Sequence, residues 1–461
     1  MPPTPSRSIA VPSEAELIAR WDAHAPRYTS YPTAASFGPA VGAADWNAAL
    51  AGLKPGKGVS LYVHLPFCKR LCWYCGCNTR AVNRRETIDS YVELLLQEAD
   101  LVAAAVGGPL RIDRLHLGGG TPNMLPPETL TRLVQGLGAR FDTSRLMEFA
   151  AELDPEVLTP EWIASAGALG LTRASLGVQD LSPQVQAAVN RPETFDTIAT
   201  AAEGLRAAGV FSLNLDLMYG LPSQGTAEVE ATLRQVLTLR PERLALFGYA
   251  HVPWMKPHQR LIDVDALPGA EARFTMSRAA EALLGAAGYQ TIGLDHFALP
   301  HDDLAAAARA GRLHRNFQGY TADEAEALIG LGASSISRTR DLYVQNAPAE
   351  RDWRAAVAGG RLSAVRGVRL SRQERFVAEV IARLMCDLTV DTAALAQRHG
   401  ADIRSLAYAW PKLDRLEADG LIRQAGATVI VTPRGRPFLR AAAAAFDPAV
   451  TSAEGRHARI L

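Results

Sequence analysis

At 461 residues the chain can bury a large core in more than one folding unit, and its 48 Lys and Arg balance 48 Asp and Glu. That balance excludes a broad basic field for nucleic acid and an acidic solvating tail. No apolar run approaches the roughly 18 residues that span a bilayer. Met1–Ser13 is rich in Pro and Ser and has no apolar signal core, so a flexible lead-in is expected there.

After residue 58, short apolar runs alternate with amphipathic ones. Val59–His64, Arg114–Leu117, Glu148–Glu152, Arg173–Val178, Ser212–Leu217 and Arg243–Tyr249 are predicted strands, each ending in Gly or a polar signal. Glu86–Ala105, Glu128–Phe141, Glu161–Leu169, Phe195–Ala208 and Thr226–Leu239 show helical spacing, about 3.6 residues per turn. The repetition predicts parallel βα units in an α/β fold. Periodicity alone allows both a barrel-like sheet of six units and a doubly wound sheet. In either layout the active site lies at the carboxyl ends of the strands.

A second unit is predicted from about residue 365. Arg369–Met385, Thr392–His399 and Leu413–Gly420 read as helices, and Leu421–Ile422 and Thr428–Thr432 as strands flanking a wing-like turn. No basic surface accompanies this pattern, so a structural cap is favoured over DNA binding. Ala441–Ala445 reads as the end of a terminal helix. The expected division is 1–58, an N-terminal extension and lid; 59–364, the catalytic unit; and 365–461, a mostly helical, winged-helix-like unit.

The chemistry concentrates in one stretch. Cys68, Cys72, Cys75 and Cys77 fall within ten residues, and the chain has one other cysteine, Cys386, in an apolar run. Soft thiolates at C-x3-C-x2-C spacing suggest a metal centre. Three can hold three corners of a four-iron cluster and leave the fourth iron open, whereas a closed electron-transfer cluster takes four protein ligands. Zinc is the competing reading, but structural zinc usually takes two separated pairs, and no second C-x-x-C exists here. The C-x-C step makes joint ligation by Cys75 and Cys77 awkward, so Cys77 is read as close to the cluster without ligating it.

Leu61-Tyr62-Val63-His64-Leu65-Pro66-Phe67-Cys68, with the cysteine pattern that follows, resembles the radical S-adenosylmethionine (SAM) enzymes. Within them it is similar to the oxygen-independent coproporphyrinogen III oxidases. The likeness recurs at Arg27-Tyr28-Thr29-Ser30-Tyr31-Pro32-Thr33, Gly118-Gly119-Gly120-Thr121-Pro122, Glu152-Leu153-Asp154-Pro155 and Gly177-Val178-Gln179-Asp180. It continues through Asp216-Leu217-Met218-Tyr219-Gly220-Leu221-Pro222, Tyr249-Ala250-His251-Val252-Pro253 and His314-Arg315-Asn316-Phe317-Gln318-Gly319-Tyr320-Thr321.

This resemblance implies a partial (β/α)6 TIM-like barrel and a 4Fe–4S cluster on Cys68, Cys72 and Cys75, its fourth iron open to SAM. It places Tyr62 and Cys77 at the reacting centre. It assigns Tyr62, Gly119, Gly120, Thr121, Glu152, Gln179, Arg191, Asp216, Ala250 and Ile336 to SAM, of which two molecules are expected. Arg27, His314 and Arg315 are the expected substrate contacts, with Arg191 as a further cation, and the Arg27 block is expected to fold over the barrel mouth. The implied reaction converts two propionates of coproporphyrinogen III to vinyl groups, giving protoporphyrinogen IX in anaerobic haem biosynthesis. A flavodoxin- or ferredoxin-like reductant and a separate electron acceptor are expected partners. A cytoplasmic monomer with no membrane span is expected, since clustered reduced thiols come without an export signal. The alternative is a related haem-delivery protein; as that class is understood, it lacks the counterparts of Cys77 and of the His314–Tyr320 block, both present here.

Overall fold

The computed structural model describes residues 12–54, 56–450 and 458–460. Apart from Pro12 and Ser13, the lead-in read at Met1–Ser13 lies outside them. Ser13 caps the helix Glu14–Trp21, its hydroxyl accepting from Glu16 N while the Glu16 carboxylate accepts from Ser13 N.

Six strands pair in parallel and in chain order: β1 (Gly58–Leu65), β2 (Arg111–Gly119), β3 (Glu148–Leu153), β4 (Arg173–Gln179), β5 (Ser212–Tyr219) and β6 (Arg243–Gly248). Helices 85–106, 127–138, 160–168, 195–207 and 226–237 lie between consecutive strands. Their buried stripes, such as Tyr91, Leu95 and Ala99 of the first, join Val63, Leu117, Phe149, Leu176 and Leu215 of the strands in one core. This is the α/β architecture that the strand–helix alternation predicts.

The sheet continues past the expected six units. β7 (Gln290–Ile292) and β8 (His296–Ala298) extend it antiparallel beyond β6. β9 (Leu328–Leu331) lies parallel to β1, followed by antiparallel β10 (Ile336–Arg338), β11 (Leu342–Asn346) and β12 (Ala364–Arg369). The result is an open twelve-stranded sheet, and among the described residues no pairing joins its two edges. The regular alternation of one strand with one helix stops after β6, so it does not reveal these strands.

The expected boundary at 365 falls inside β12, which pairs antiparallel with β11 apart from a register shift at Val365. The C-terminal elements begin at the helix Arg372–Asp387, capped by Ser371. They include helices Thr392–His399 and Trp410–Ala418 and a small antiparallel sheet of 389–391, 428–431 and 422–425. The described residues of the segment 1–58 divide between two cores. Leu17, Ile18, Trp21 and Tyr28 pack with Phe376, Leu384, Leu413 and Phe438 in the C-terminal core, whereas Trp46 and Leu50 join the barrel core. Trp21 Nε1 donates to Asp419 Oδ2 at 2.7 Å, fixing the first helix to the far end of the chain.

Leu17 is 1% exposed in that second core. Leu17→Ala is expected to cost about 2–5 kcal/mol through lost burial and a residual cavity. A thermal melt of the full chain checks this, and an unchanged midpoint would show that the first helix does not hold the C-terminal elements.

Candidate active site

The cysteine loop leaves β1 at its carboxyl end and closes on itself. Phe67–Cys68 pairs in parallel with Arg80–Ala81, and Arg80 N and Val82 N donate to Pro66 O at 2.9 Å and Cys68 O at 3.0 Å. Each of the first three sulfurs has a donor. Thr79 Oγ1 lies 2.9 Å and Thr121 Oγ1 3.5 Å from Cys68 Sγ, Arg191 Nη1 lies 3.6 Å from Cys72 Sγ, and Cys77 N donates to Cys75 Sγ at 3.4 Å. Burial pushes the Cys68 and Cys72 thiols up, while the Cys77 thiol, donating to Cys75, holds Cys75 down with help from Lys256 and Arg191. Among the described residues, no three His, Cys, Asp or Glu close on a point that a single metal ion could fill. Cys72 and Cys75 act electrostatically on Cys68, and Cys75 on Cys72. Three soft thiolates in one loop fit three corners of an iron–sulfur cluster.

The carboxyl end of β2 forms the next wall. Gly120 N donates to Leu65 O at 2.8 Å and Thr121 N to Phe67 O at 2.7 Å, so backbone meets backbone at the root of the loop. A Cβ on Gly120 would lie 2.7 Å from both of those carbonyl oxygens, and one on Gly118 would lie 2.8 Å from the Glu152 carboxylate. Gly119 has φ +106°, and a Cβ there would lie 2.3 Å from the His64 ring. Glu152, ending β3, accepts from Gly119 N at 2.9 Å and pairs with His116 Nε2 at 3.1 Å. Burial opposes its ionisation, but these partners outweigh burial and hold the carboxyl below its usual range. Tyr62 OH bonds His64 Nδ1 at 3.1 Å, and the His64 Nε2 bonds Asn78 O at 2.9 Å.

On β4 and β5, Asp216 accepts from Ser175 Oγ and Asn214 Nδ2, each at 2.7 Å. Gln179 sits at φ +68°, beside a register shift between β4 and β5. Arg191 grips Asp154 with both terminal nitrogens, at 3.1 and 3.3 Å, and donates to Gly177 O at 2.6 Å.

Next to β6 and β8 lies a cavity lined by Arg27, Arg273, Arg315, Arg436 and Arg440, with Asp295 among them. Arg440 is saturated by backbone carbonyls, including Pro26 O at 2.9 Å and Arg459 O at 2.7 Å, and acts as a clamp on both ends of the chain. Arg315 stacks on Tyr320 at 4.0 Å and leaves its buried Nε and Nη1 without partners. Arg27 donates to Gly248 O, and its own carbonyl accepts from Arg315 Nη2 at 3.5 Å. Tyr28 and Tyr31 donate to the two oxygens of Asp447, at 3.0 and 3.2 Å, which fixes the segment above this cavity.

The radical SAM superfamily model matches residues 62–236 and the HemN C-terminal domain model residues 370–438. An oxygen-independent coproporphyrinogen III oxidase of Paracoccus denitrificans is 40% identical, covering 97% of this chain and 99% of its own length. One from Bradyrhizobium diazoefficiens is 40% identical over 94% of this chain and 96% of its own. The chain belongs to the oxygen-independent coproporphyrinogen III oxidase family. The solved coproporphyrinogen III oxidase of Escherichia coli, described as a radical SAM enzyme, superposes with a TM-score of 0.88 at 35% identity, covering 95% of this chain and 99% of that one. The protein is therefore an oxidoreductase of the radical SAM class, and that class implies a 4Fe–4S cluster and SAM.

Glu152, Gln179, Ala250 and the glycine run stand at or just beyond the carboxyl ends of parallel strands, Tyr62 and Asp216 lie inside β1 and β5 in their carboxyl-terminal halves, and Arg191 follows the short helix 183–188 beyond β4. Ile336 opens β10, packed near Phe37 and Tyr343. Arg27 and Arg315 share the arginine-lined cavity, but His314 does not line it. His314 precedes Arg315 on the ribbon strand 314–316, so their side chains point to opposite faces. Arg191, expected among the SAM residues and as a further substrate cation, is already paired with Asp154. His116, Asp154, Ser175 and Asn214 were not singled out as site residues; the first, third and fourth point inward from alternating strand positions that carry no motif of their own. No helix among the described residues is long and apolar enough to cross a membrane.

Gly120→Ala forces apart the two backbones at the loop root. The expected result is loss of most bound iron after anaerobic reconstitution, with the far-ultraviolet spectrum unchanged. Full iron content in this variant would show that the close approach is dispensable.

Proposed function

We propose that this chain decarboxylates two propionate side chains of coproporphyrinogen III to vinyl groups, giving protoporphyrinogen IX without oxygen. One observation carries the reading: a loop of three donor-bonded thiols and an arginine-lined cavity lie near the carboxyl ends of the strands of one sheet. The relatives bearing this activity's name align along nearly the whole chain. Cys68, Cys72 and Cys75 hold the cluster, and Thr121 and Arg191 donate to the sulfurs of Cys68 and Cys72, which favours their thiolate forms. When bound, the cluster and SAM supply one-electron chemistry and a hydrogen-abstracting carbon radical.

The chain's own residues bind, orient and exclude. Glu152, kept ionised by His116 and Gly119 N–H, accepts from the ammonium or ribose of SAM. Asp216, steadied by Ser175 and Asn214, accepts from ribose hydroxyls. Gly119, Gly120, Thr121, Gln179, Arg191, Ala250 and Ile336 complete the walls for two SAM molecules, and Tyr62 packs beneath them. Arg315 has buried donors lacking acceptors, and a propionate supplies acceptors of the right charge. Arg27 beside it receives the same class of group. Each propionate gives up carbon dioxide, one hydrogen atom and one further electron, so no general base is needed for the abstraction. Cys77, held against Cys75, stands near the reacting centre. A flavodoxin- or ferredoxin-like reductant delivers electrons and a separate acceptor removes them. The enzyme acts as a cytoplasmic monomer, and its catalytic unit, expected at 59–364, takes in the whole of β12 and ends before the C-terminal cap.

Anaerobic reconstitution with iron and sulfide, followed by assay of deoxyadenosine and carbon dioxide, tests the reading. Serine at Cys68, Cys72 or Cys75 is expected to abolish both iron retention and SAM cleavage, whereas Cys77→Ser keeps the iron and loses decarboxylation. Intact SAM cleavage in any of the first three would sink the ligand assignment.

Arg315→Ala removes charged hydrogen bonds of about 1.5–3 kcal/mol each, so decarboxylation is expected to fall roughly 10- to 150-fold. SAM cleavage without substrate is expected to stay near wild type; equal loss of both would remove Arg315 from the substrate contacts.

A further inference from the structure

The loop that follows β6 reaches across to the cysteine loop, and the sequence motifs do not mark this contact. Its turn Pro257–Leu261 and the preceding lysine bring side chains onto three backbone carbonyls. Lys256 Nζ donates to Cys77 O at 2.9 Å, His258 Nε2 to Cys75 O at 2.7 Å and Gln259 Nε2 to Tyr74 O at 2.9 Å. A carbonyl partner requires the proton on Nε2 of His258. Gln259 is 1% exposed and uses both ends of its amide. Its Oε1 accepts from Val252 N at 2.6 Å, and its Nε2 also donates to Ala250 O at 3.2 Å. A buried amide bonded to the backbones of two loops ties them together, because separating them strands several polar groups at once. The opposite flank of the cysteine loop is held by Asn190 Nδ2 to Leu71 O at 3.1 Å and Trp73 N to Val189 O at 3.0 Å.

We propose that Gln259 and His258 are positioning residues for the cysteine loop. They hold the Tyr74 and Cys75 carbonyls toward the loop after β6 and thereby fix the direction of the Cys75 thiol. Carbonyls bonded to these donors keep their negative ends directed there, which leaves the Cys77 N–H to face the Cys75 sulfur. The inference rests on the cysteine loop being the cluster site. Lys256 adds a positive charge at the solvent edge of the same contact.

The test uses the full chain with Gln259→Leu, His258→Phe and the conservative His258→Gln. Two quantities are read: the rate at which a ferrous chelator removes iron from the reconstituted enzyme, and amide hydrogen exchange of residues 70–80 in the metal-free protein. Gln259→Leu and His258→Phe are expected to lose iron roughly 10- to 100-fold faster, the range for partners that orient metal ligands. Both are expected to speed exchange in residues 70–80 while the strands stay protected, and His258→Gln is expected to restore most of the protection. Wild-type rates in both disruptive variants would overturn the inference. If Gln259→Leu does not accumulate as folded protein, the comparison of His258→Phe with His258→Gln decides alone, and equal rates overturn it. A wild-type chain that takes up no iron would overturn the proposed function instead.

Discussion

Two backbones meet at the mouth of this sheet with nothing between them. The cysteine loop leaves β1 where Leu65 O and Phe67 O accept from Gly120 N and Thr121 N, and a methyl group on Gly120 would already collide. The glycine run is therefore first a packing requirement. Gly118 makes room for the Glu152 carboxylate and Gly119 for the His64 ring. Through these approaches the first three strands set the relative positions of the thiols, of Glu152 and of Tyr62.

Charge is placed with the same economy. Glu152 and Asp216 lie deep in the sheet mouth, where burial works against ionisation. Glu152 has a histidine and a backbone N–H to offset that cost, and its carboxyl is held down. Asp216 has only neutral donors, and its carboxyl is pushed up. The two carboxyls thus move in opposite directions: burial and the nearby Glu152 raise Asp216, while His116 and the Gly119 N–H lower Glu152 against its burial. Arg191 is committed to Asp154 and carries its charge to the edge of Cys72, whereas Arg315 keeps donors in reserve beside Asp295. The first arrangement suits a fixed charge beside the thiols, and the second suits a partner that arrives and leaves.

The two ends of the chain close the molecule. The first helix packs on the C-terminal core, Tyr28 and Tyr31 bond Asp447, and Arg440 gathers carbonyls from residues 25–26 and 458–460. Such anchoring makes the Arg27 segment a fixed wall of the arginine-lined cavity. The cost of stripping an arginine of water is met by several carbonyls at once, which explains why Arg440 serves the fold although it lines the cavity.

The parallel strands, their helices and the thiol loop were all legible in the residues, because each is encoded locally: a two-residue alternation, a helical stripe, or closely spaced cysteines. The resemblance added the order of the motifs and, with it, the chemistry. What stayed hidden depends on contacts between residues far apart in the chain. The strands β9 to β12 depart from the one-strand, one-helix repeat, so only pairing defines them. His314 and Arg315 are neighbours in sequence, and the ribbon's pleat sends them to opposite faces. The pairing of Arg191 stayed hidden because its partner Asp154 lies 37 positions away. Local spacing therefore determined what kinds of groups are present and roughly where. Packing alone decided which of them are spent on one another and which remain open to a ligand, since burial and hydrogen-bond satisfaction are properties of the folded neighbourhood.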